Sequence, residues 1–122
     1  MKNSKVVLII DDDEDLCQML KVILSPSFEA IQVTHTLESG KKLLSSVRPD
    51  VVFLDNNLPD GQGVSLIKSI KEEMPSTTVI LITAMDNAKE DALKYGADIF
   101  LGKPLTFASI KEALGRVSQK IS

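Results

Sequence analysis

Asp11 and Asp12 directly follow the apolar run Val6 to Ile10, and Asp55 ends a second run, "VVFLD". Carboxylates gathered at the ends of buried strands repel one another and lose solvation, so they require a counter-charge. An oxygen-only ligand set that keeps several waters suits a hard cation, Mg²⁺ before Zn²⁺. Two more polar residues end apolar runs: Thr83, after "TVILI", and Lys103, in "FLGKPL". The lysine can supply a further positive charge. The Thr83 hydroxyl, with helix-start amides after Asp55, could hold an anion. A carboxylate nucleophile, a metal, a lysine and a hydroxyl are the parts of a phosphoryl-transfer site.

Several neighbouring residues have simpler explanations. Asp13, Glu14 and Asp15 suit the first turn of a helix, where capping and the helix dipole favour acids. The spacing Asp11-x-Asp13-x-Asp15 hints at a calcium loop. That loop needs glycine where Leu16 stands and a bidentate acid where Val22 stands, so it is rejected. Pro59, Asp60 and Gly61 are turn formers, which leaves unexplained an aspartate ending an apolar strand. Thr83 could cap a helix, but Asp86 is better placed for that. His35, alone and off to one side, reads as a surface residue. Cys17 is expected to pack within the first helix, where neighbouring acids disfavour a thiolate. Lys41-Lys42 and Lys71-Glu72-Glu73 read as solvated helix faces.

The elements that must position these residues alternate along the chain. Short apolar runs begin near Val6, Phe28, Val51, Thr78 and Asp98, about twenty to twenty-seven residues apart. Between them lie helical stripes: Leu16, Met19, Leu20, Ile23, Leu24; Leu37, Gly40, Leu44, Val47; Leu66, Ile67, Ile70, Met74. A final stripe is Phe107, Ile110, Leu114, Val117, Ile121. The segment Asp86 to Tyr95, with only Ala88, Ala92 and Leu93 for an inner face, reads as a weak helix capped by Gly96. Five strands alternating with five helices predict an α/β fold, a doubly wound parallel sheet with helices on both faces. The continuous apolar runs fit strands buried on both sides, and the more polar "FEAIQV" fits an edge. Flavodoxin-like order 2-1-3-4-5 makes strands one and three neighbours, so Asp11, Asp12 and Asp55 should converge at their carboxyl ends.

With 122 residues, 43% hydrophobic and 25% charged, the chain reads as one domain, residues 1–122. A net charge of −3 argues against broad nucleic-acid binding. One cysteine rules out an internal disulfide, and the five-residue apolar run after "MKNSK" is too short for a signal peptide or membrane span. The expected location is the cytoplasm.

Four segments in order resemble the receiver domain of two-component response regulators: "IIDD", "VVFLDNNLPDGQG", "ILITA" and "FLGKPL". The resemblance runs from Lys5 to Ile121. It implies that Asp55 is the phosphoacceptor, taking its phosphoryl group from a histidine kinase, a phosphotransfer protein or a small phosphodonor. It implies that Asp11, Asp12, Asp55 and the backbone carbonyl of Asn57 hold Mg²⁺ (or Mn²⁺). Thr83 and Lys103 would bind phosphoryl oxygens, Thr83 and Phe100 would form the switch, and Asn57 and Met85 would flank the pocket mouth. A cis Lys103–Pro104 bond is expected.

The same resemblance implies an output domain or target protein on the face made by the fourth helix, fifth strand and fifth helix. A phosphorylation-linked dimer is compatible with it; a membrane or direct nucleic-acid contact is not expected. Catalysis would be limited to self-phosphorylation and loss of the phosphoryl group. Phe100 lacks the hydroxyl some receivers carry there, Leu105 stands where phenylalanine is common, and Gly102 precedes the lysine. These departures touch the output face and not the chemistry. Two alternatives are an aspartate-nucleophile phosphohydrolase and a pseudo-receiver used only for contacts. The first wants a second acid where Asn57 stands and a cap domain; the intact polar set speaks against the second. No DNA-binding segment follows Ile121, which leaves open a single-domain regulator or a receiver cut from a longer protein.

Overall fold

A computed structural model of the chain describes residues 5–84 and 96–121, with side chains as far as residue 117. In chain order the elements are β1 (Val6–Ile10), α1 (Glu14–Leu24), β2 (Ala30–Thr34), α2 (Leu37–Val47) and β3 (Val51–Asp55). There follow β4 (Asn57–Leu58), β5 (Gly61–Gln62), α3 (Val64–Glu73), β6 (Thr78–Thr83), β7 (Ile99–Gly102) and α4 (Phe107–Ile121). The expected helix from Asp86 to Tyr95 and the mouth residue Met85 lie outside the described residues.

Five strands form one parallel sheet in the order β2-β1-β3-β6-β7. This is the doubly wound order expected from the alternation of runs and stripes. β2, the most polar of the five, lies at an edge. Side chains alternate between two cores. Val7, Ile9, Phe53, Ile80 and Ile82 pack with α1 and α4, while Leu8, Ile10, Val52, Leu54 and Leu81 pack with α2 and α3. Sheet residues buried on both faces explain why β1, β3 and β6 are apolar without interruption.

Three local expectations are corrected. The second and fifth strands begin at Ala30 and Ile99, and Phe28 is a core residue before the edge strand. Phe107, placed on the inner stripe of the last helix, is 62% exposed. The inner face runs through Ile110, Ala113 and Val117, and the Phe107 ring instead lies 5.5 Å from Lys111 Nζ, a cation–π contact. Lys71 is no solvated lysine. Its ammonium donates to Thr77 O (2.7 Å) and pairs with Asp98 Oδ2 (2.9 Å), tying the end of α3 to the segment before β7. Asp98 also accepts from Val79 N (2.8 Å), which explains an acid at the start of a buried strand.

The connection from β3 to α3 holds a two-residue hairpin, β4–β5, that was read only as a turn. It is fastened from outside. Asp60 accepts from Leu37 N (2.8 Å) and Glu38 N (3.1 Å), so its carboxylate caps α2 from a loop 22 or 23 residues away. Those two amide bonds hold its carboxyl below the usual range. Gly63 is required by a close approach, since a Cβ there would sit 2.2 Å from the Asp55 carbonyl oxygen.

Candidate functional site

β1 ends in Asp11, which is fully buried. Its amide donates to Thr34 O (3.0 Å), extending the β1–β2 ladder by one step. Asp11 Oδ1 accepts from Asp13 N (2.8 Å), and Asp13 in turn N-caps α1 by accepting from Leu16 N (3.1 Å). Two neighbouring acids thus do different work: Asp13 begins the helix and Asp11 stays in the pocket. Glu14 and Asp15 occupy the first helical turn, and Asp12 between them and Asp11 is exposed.

β3 ends in Asp55, only 1% exposed. Its Oδ1 accepts from Asn57 N (3.2 Å) and lies 3.4 Å from Lys103 Nζ. Lys103 reaches in from the turn after β7 and lies 3.9 Å from Asp11 Oδ2. The sheet order therefore brings Asp11, Asp12 and Asp55 together, with one oxygen of each within 4.8 Å of the others. The buried Oδ2 atoms of Asp11 and Asp55 have no hydrogen-bond partner.

Burial, more than any neighbour, pushes the Asp11 carboxyl up to about 6, with Asp55 and Asp12 adding repulsion. Asp55 is raised too, chiefly by burial, although the Asn57 amide and Lys103 pull the other way. One lysine does not offset the desolvation of two carboxylates. Two unpartnered buried oxygens beside a third, exposed carboxylate are a donor set for a hard divalent cation, and the residues present fit one. Cys17 Sγ donates to Asp11 O (3.4 Å), and burial followed by the Asp11 charge pushes its thiol up to about 11. It stays protonated, as expected.

The remaining predicted residues fall around this pocket. Thr83 is buried at the end of β6, and its carbonyl accepts from Lys103 N (2.9 Å). The Lys103–Pro104 bond is cis. Asn57 is exposed and begins the hairpin opposite Gln62. Phe100 is half-buried on β7 against the core under α3.

Three amides after Asp55 have acceptors within the protein. Asn56 N donates to Ile82 O (2.8 Å), Asn57 N to Asp55 itself, and the first helical amide, Val64 N, to Asn56 Oδ1 (3.0 Å). Asn56, buried at 3%, is therefore a structural residue that sequence reasoning missed. Its only signal was a polar residue placed after the strand-ending acid. His35 is at the surface, as expected. Its ring is exposed, but Nδ1 bonds to the Asp11 carbonyl at 2.8 Å. Beside the pocket, between α1 and the turn at Lys103, runs a groove of about 500 Å³ with Leu16, Met19 and Leu105 on its walls.

Known proteins resemble this chain in sequence and in fold. The transcriptional regulatory protein CitB of Klebsiella pneumoniae is 33% identical over 96% of this chain and 52% of its own length. The chain spans about half or less of the first curated relatives it matches. The chemotaxis protein CheY of Thermotoga maritima is 34% identical, covering 95% of this chain and 99% of that protein. A two-component response regulator from Clostridium difficile superposes with a TM-score of 0.88 at 28% identity, over 98% of this chain and 99% of the other. Residues 7–115, from the second residue of β1 into α4 and so including every acid of the pocket, match the response regulator receiver domain family, and the chain belongs to it.

Proposed function

We propose that this domain is a phospho-accepting switch in which Asp55 receives the phosphoryl group. The observation that carries the reading is the buried Asp55 carboxylate. One of its oxygens is committed to Asn57 N and Lys103, the other has no partner, and Asp11 and Asp12 lie alongside. Mg²⁺, or Mn²⁺ in its place, would be held by Asp11, Asp12, Asp55 and the Asn57 carbonyl, and would neutralise charge on the phosphoryl oxygens. An Asp55 oxygen attacks phosphorus. The new O–P bond forms as the bond to the donor's nitrogen or oxygen breaks, and its electron pair leaves with the donor. Lys103 offsets the accumulating negative charge, and the Thr83 hydroxyl donates to one phosphoryl oxygen.

The whole chain, residues 1–122, is read as a single receiver domain. Its donor is a histidine kinase or phosphotransfer protein, which can reach Asp55 across the groove between α1 and Leu105. No described helix is long and apolar enough to cross a membrane, and the reading assigns the protein to the cytoplasm. Incubation with a small phosphodonor and Mg²⁺ should add one phosphoryl group per chain. A phosphohydrolase would instead release phosphate continuously from a phosphoester, and a pseudo-receiver would gain no mass.

Phosphorylation adds about −1.5 to −2 charges, which Thr83 and Lys103 meet. Drawing Thr83 inward leaves room for the Phe100 ring to turn, which changes the face around β7 and α4 that an output domain, a target or a second copy would read. Phe100 has no hydroxyl, so the signal travels by packing. Thr83→Ala is expected to accept phosphoryl but lose most of the change on that face. Amide-exchange or NMR shifts near Phe100 equal to those of phosphorylated wild type would contradict it.

Signal lifetime is set at the pocket mouth by Asn57 and Met85. Asn57 can hydrogen-bond the water that hydrolyses the acyl phosphate, whereas the Met85 thioether is a weak acceptor on an apolar arm. Met85→Gln should speed hydrolysis by about 3–30-fold, the worth of one positioned hydrogen bond of roughly 0.7–2 kcal/mol. Phosphate release from purified phosphoprotein in Mg²⁺ checks this; a rate equal to or below wild type would remove Met85 from the mouth.

A further inference from the structure

The two peptide groups that flank Asp11 are held by β2 and by the residue after it. Thr34 O accepts from Asp11 N (3.0 Å), and the next residue, His35, bonds through Nδ1 to Asp11 O (2.8 Å). A carbonyl can only accept, so Nδ1 carries the hydrogen and donates it. The other donor to this carbonyl, Cys17 Sγ at 3.4 Å, is a weak one. Asp11 O belongs to the same rigid plane as Asp12 N and Asp12 Cα, so its direction sets where the Asp12 Cα lies and narrows where the side chain can reach. Asp12 is exposed, and its own carboxylate carries no hydrogen bond among the described residues that would fix it instead. Asp11 is held independently through Oδ1.

From this geometry we infer that His35 is a positioning residue for divalent-cation binding: its imidazole N–H orients the Asp11–Asp12 peptide and so delivers the Asp12 carboxylate to Asp11 and Asp55. The inference rests on the proposed cation site. Removing the ring leaves the carbonyl with the thiol alone, and the turn must be ordered anew each time a cation binds. Partners of metal ligands typically change affinity by 10–100-fold; His35 acts one step further out, through the backbone, so roughly 3–10-fold is expected.

The test measures Mn²⁺ affinity by electron paramagnetic resonance of the free ion, for wild type, His35→Ala and His35→Asn. In parallel, phosphoryl uptake from a small phosphodonor is titrated with Mg²⁺. The ring is exposed, so neither substitution opens a cavity. The amide nitrogen of asparagine falls close to the place of Nδ1 and preserves the donor. His35→Ala should bind Mn²⁺ about 3–10-fold more weakly and need correspondingly more Mg²⁺, with its rate at saturation kept, and His35→Asn should recover most of the loss. Affinity unchanged in His35→Ala, or His35→Asn no better than His35→Ala, would overturn the inference while leaving the cation site standing. Wild type that binds no Mn²⁺ would overturn both.

Discussion

In chelator at neutral pH, Asp11→Asn is expected to melt at a higher temperature than wild type, and to bind Mg²⁺ more weakly. The cause is the balance in the pocket. Burial raises Asp11 from 3.8 to about 6 despite the Asp13 amide and Lys103, so desolvation exceeds the attraction these provide. A folded-state value above the unfolded one means that the folded protein binds the proton more tightly. That favours folding at low pH, and the advantage is lost as pH rises from about 3.8 through about 6. At pH 7 the charged group therefore weakens the fold, by up to about 3 kcal/mol at roughly 1.4 kcal/mol per unit. Asparagine keeps the acceptor for Asp13 N and removes the charge from a buried oxygen that has no hydrogen-bond partner and only a 3.9 Å approach to Lys103 Nζ.

A gain of roughly 1–3 kcal/mol, several degrees for a domain of this size, should follow. Wild type in chelator should also lose stability between about pH 4 and pH 7, more steeply than Asp11→Asn. Added Mg²⁺ should reverse the ranking, because only wild type then gains the full free energy of binding. Thermal melts with and without Mg²⁺ make the comparison. A variant that melts lower in chelator and binds Mg²⁺ as well as wild type would contradict a shared, cation-dependent site.

Much of this is legible in the sequence, and the boundary has a physical form. Buried parallel strands must be apolar on both faces, so β1, β3 and β6 stand out as runs. Sheet order then follows from short connections, and with it the meeting of Asp11 and Asp55 across 44 residues. Bonds that join distant segments without periodicity were invisible: Asp60 to the start of α2, Lys71 to Asp98, and His35 to Asp11 O. Each is one polar side chain reaching one partner, and nothing in composition distinguishes it from a solvated neighbour. Phe107 misled for a different reason. Its spacing fits the apolar stripe, but it is the first residue of α4 and its ring is exposed.

Asp55→Ala is expected to abolish phosphoryl uptake, by roughly 10³-fold or more, since no second carboxylate can substitute. Asp11 Oδ1 is committed to Asp13 N and Asp12 is exposed, and neither has the 3.4 Å contact with Lys103 Nζ that Asp55 makes. The variant should remain folded, because removing Asp55 also removes a buried charge held above its ordinary protonation range. Lost uptake in a folded protein therefore reports the chemistry and not the fold. Chelation should act by the same route, leaving Asp55 present but the charge on the phosphoryl oxygens opposed by Lys103 alone.

The most direct measurement is intact mass after incubation with a small phosphodonor, for wild type and Asp55→Ala, each in Mg²⁺ and in chelator. The expected result is one added phosphoryl group on wild type in Mg²⁺ and essentially none in the other three samples. Equal uptake by Asp55→Ala, or uptake by wild type that chelator leaves unchanged, would contradict an Asp55-centred, cation-assisted switch.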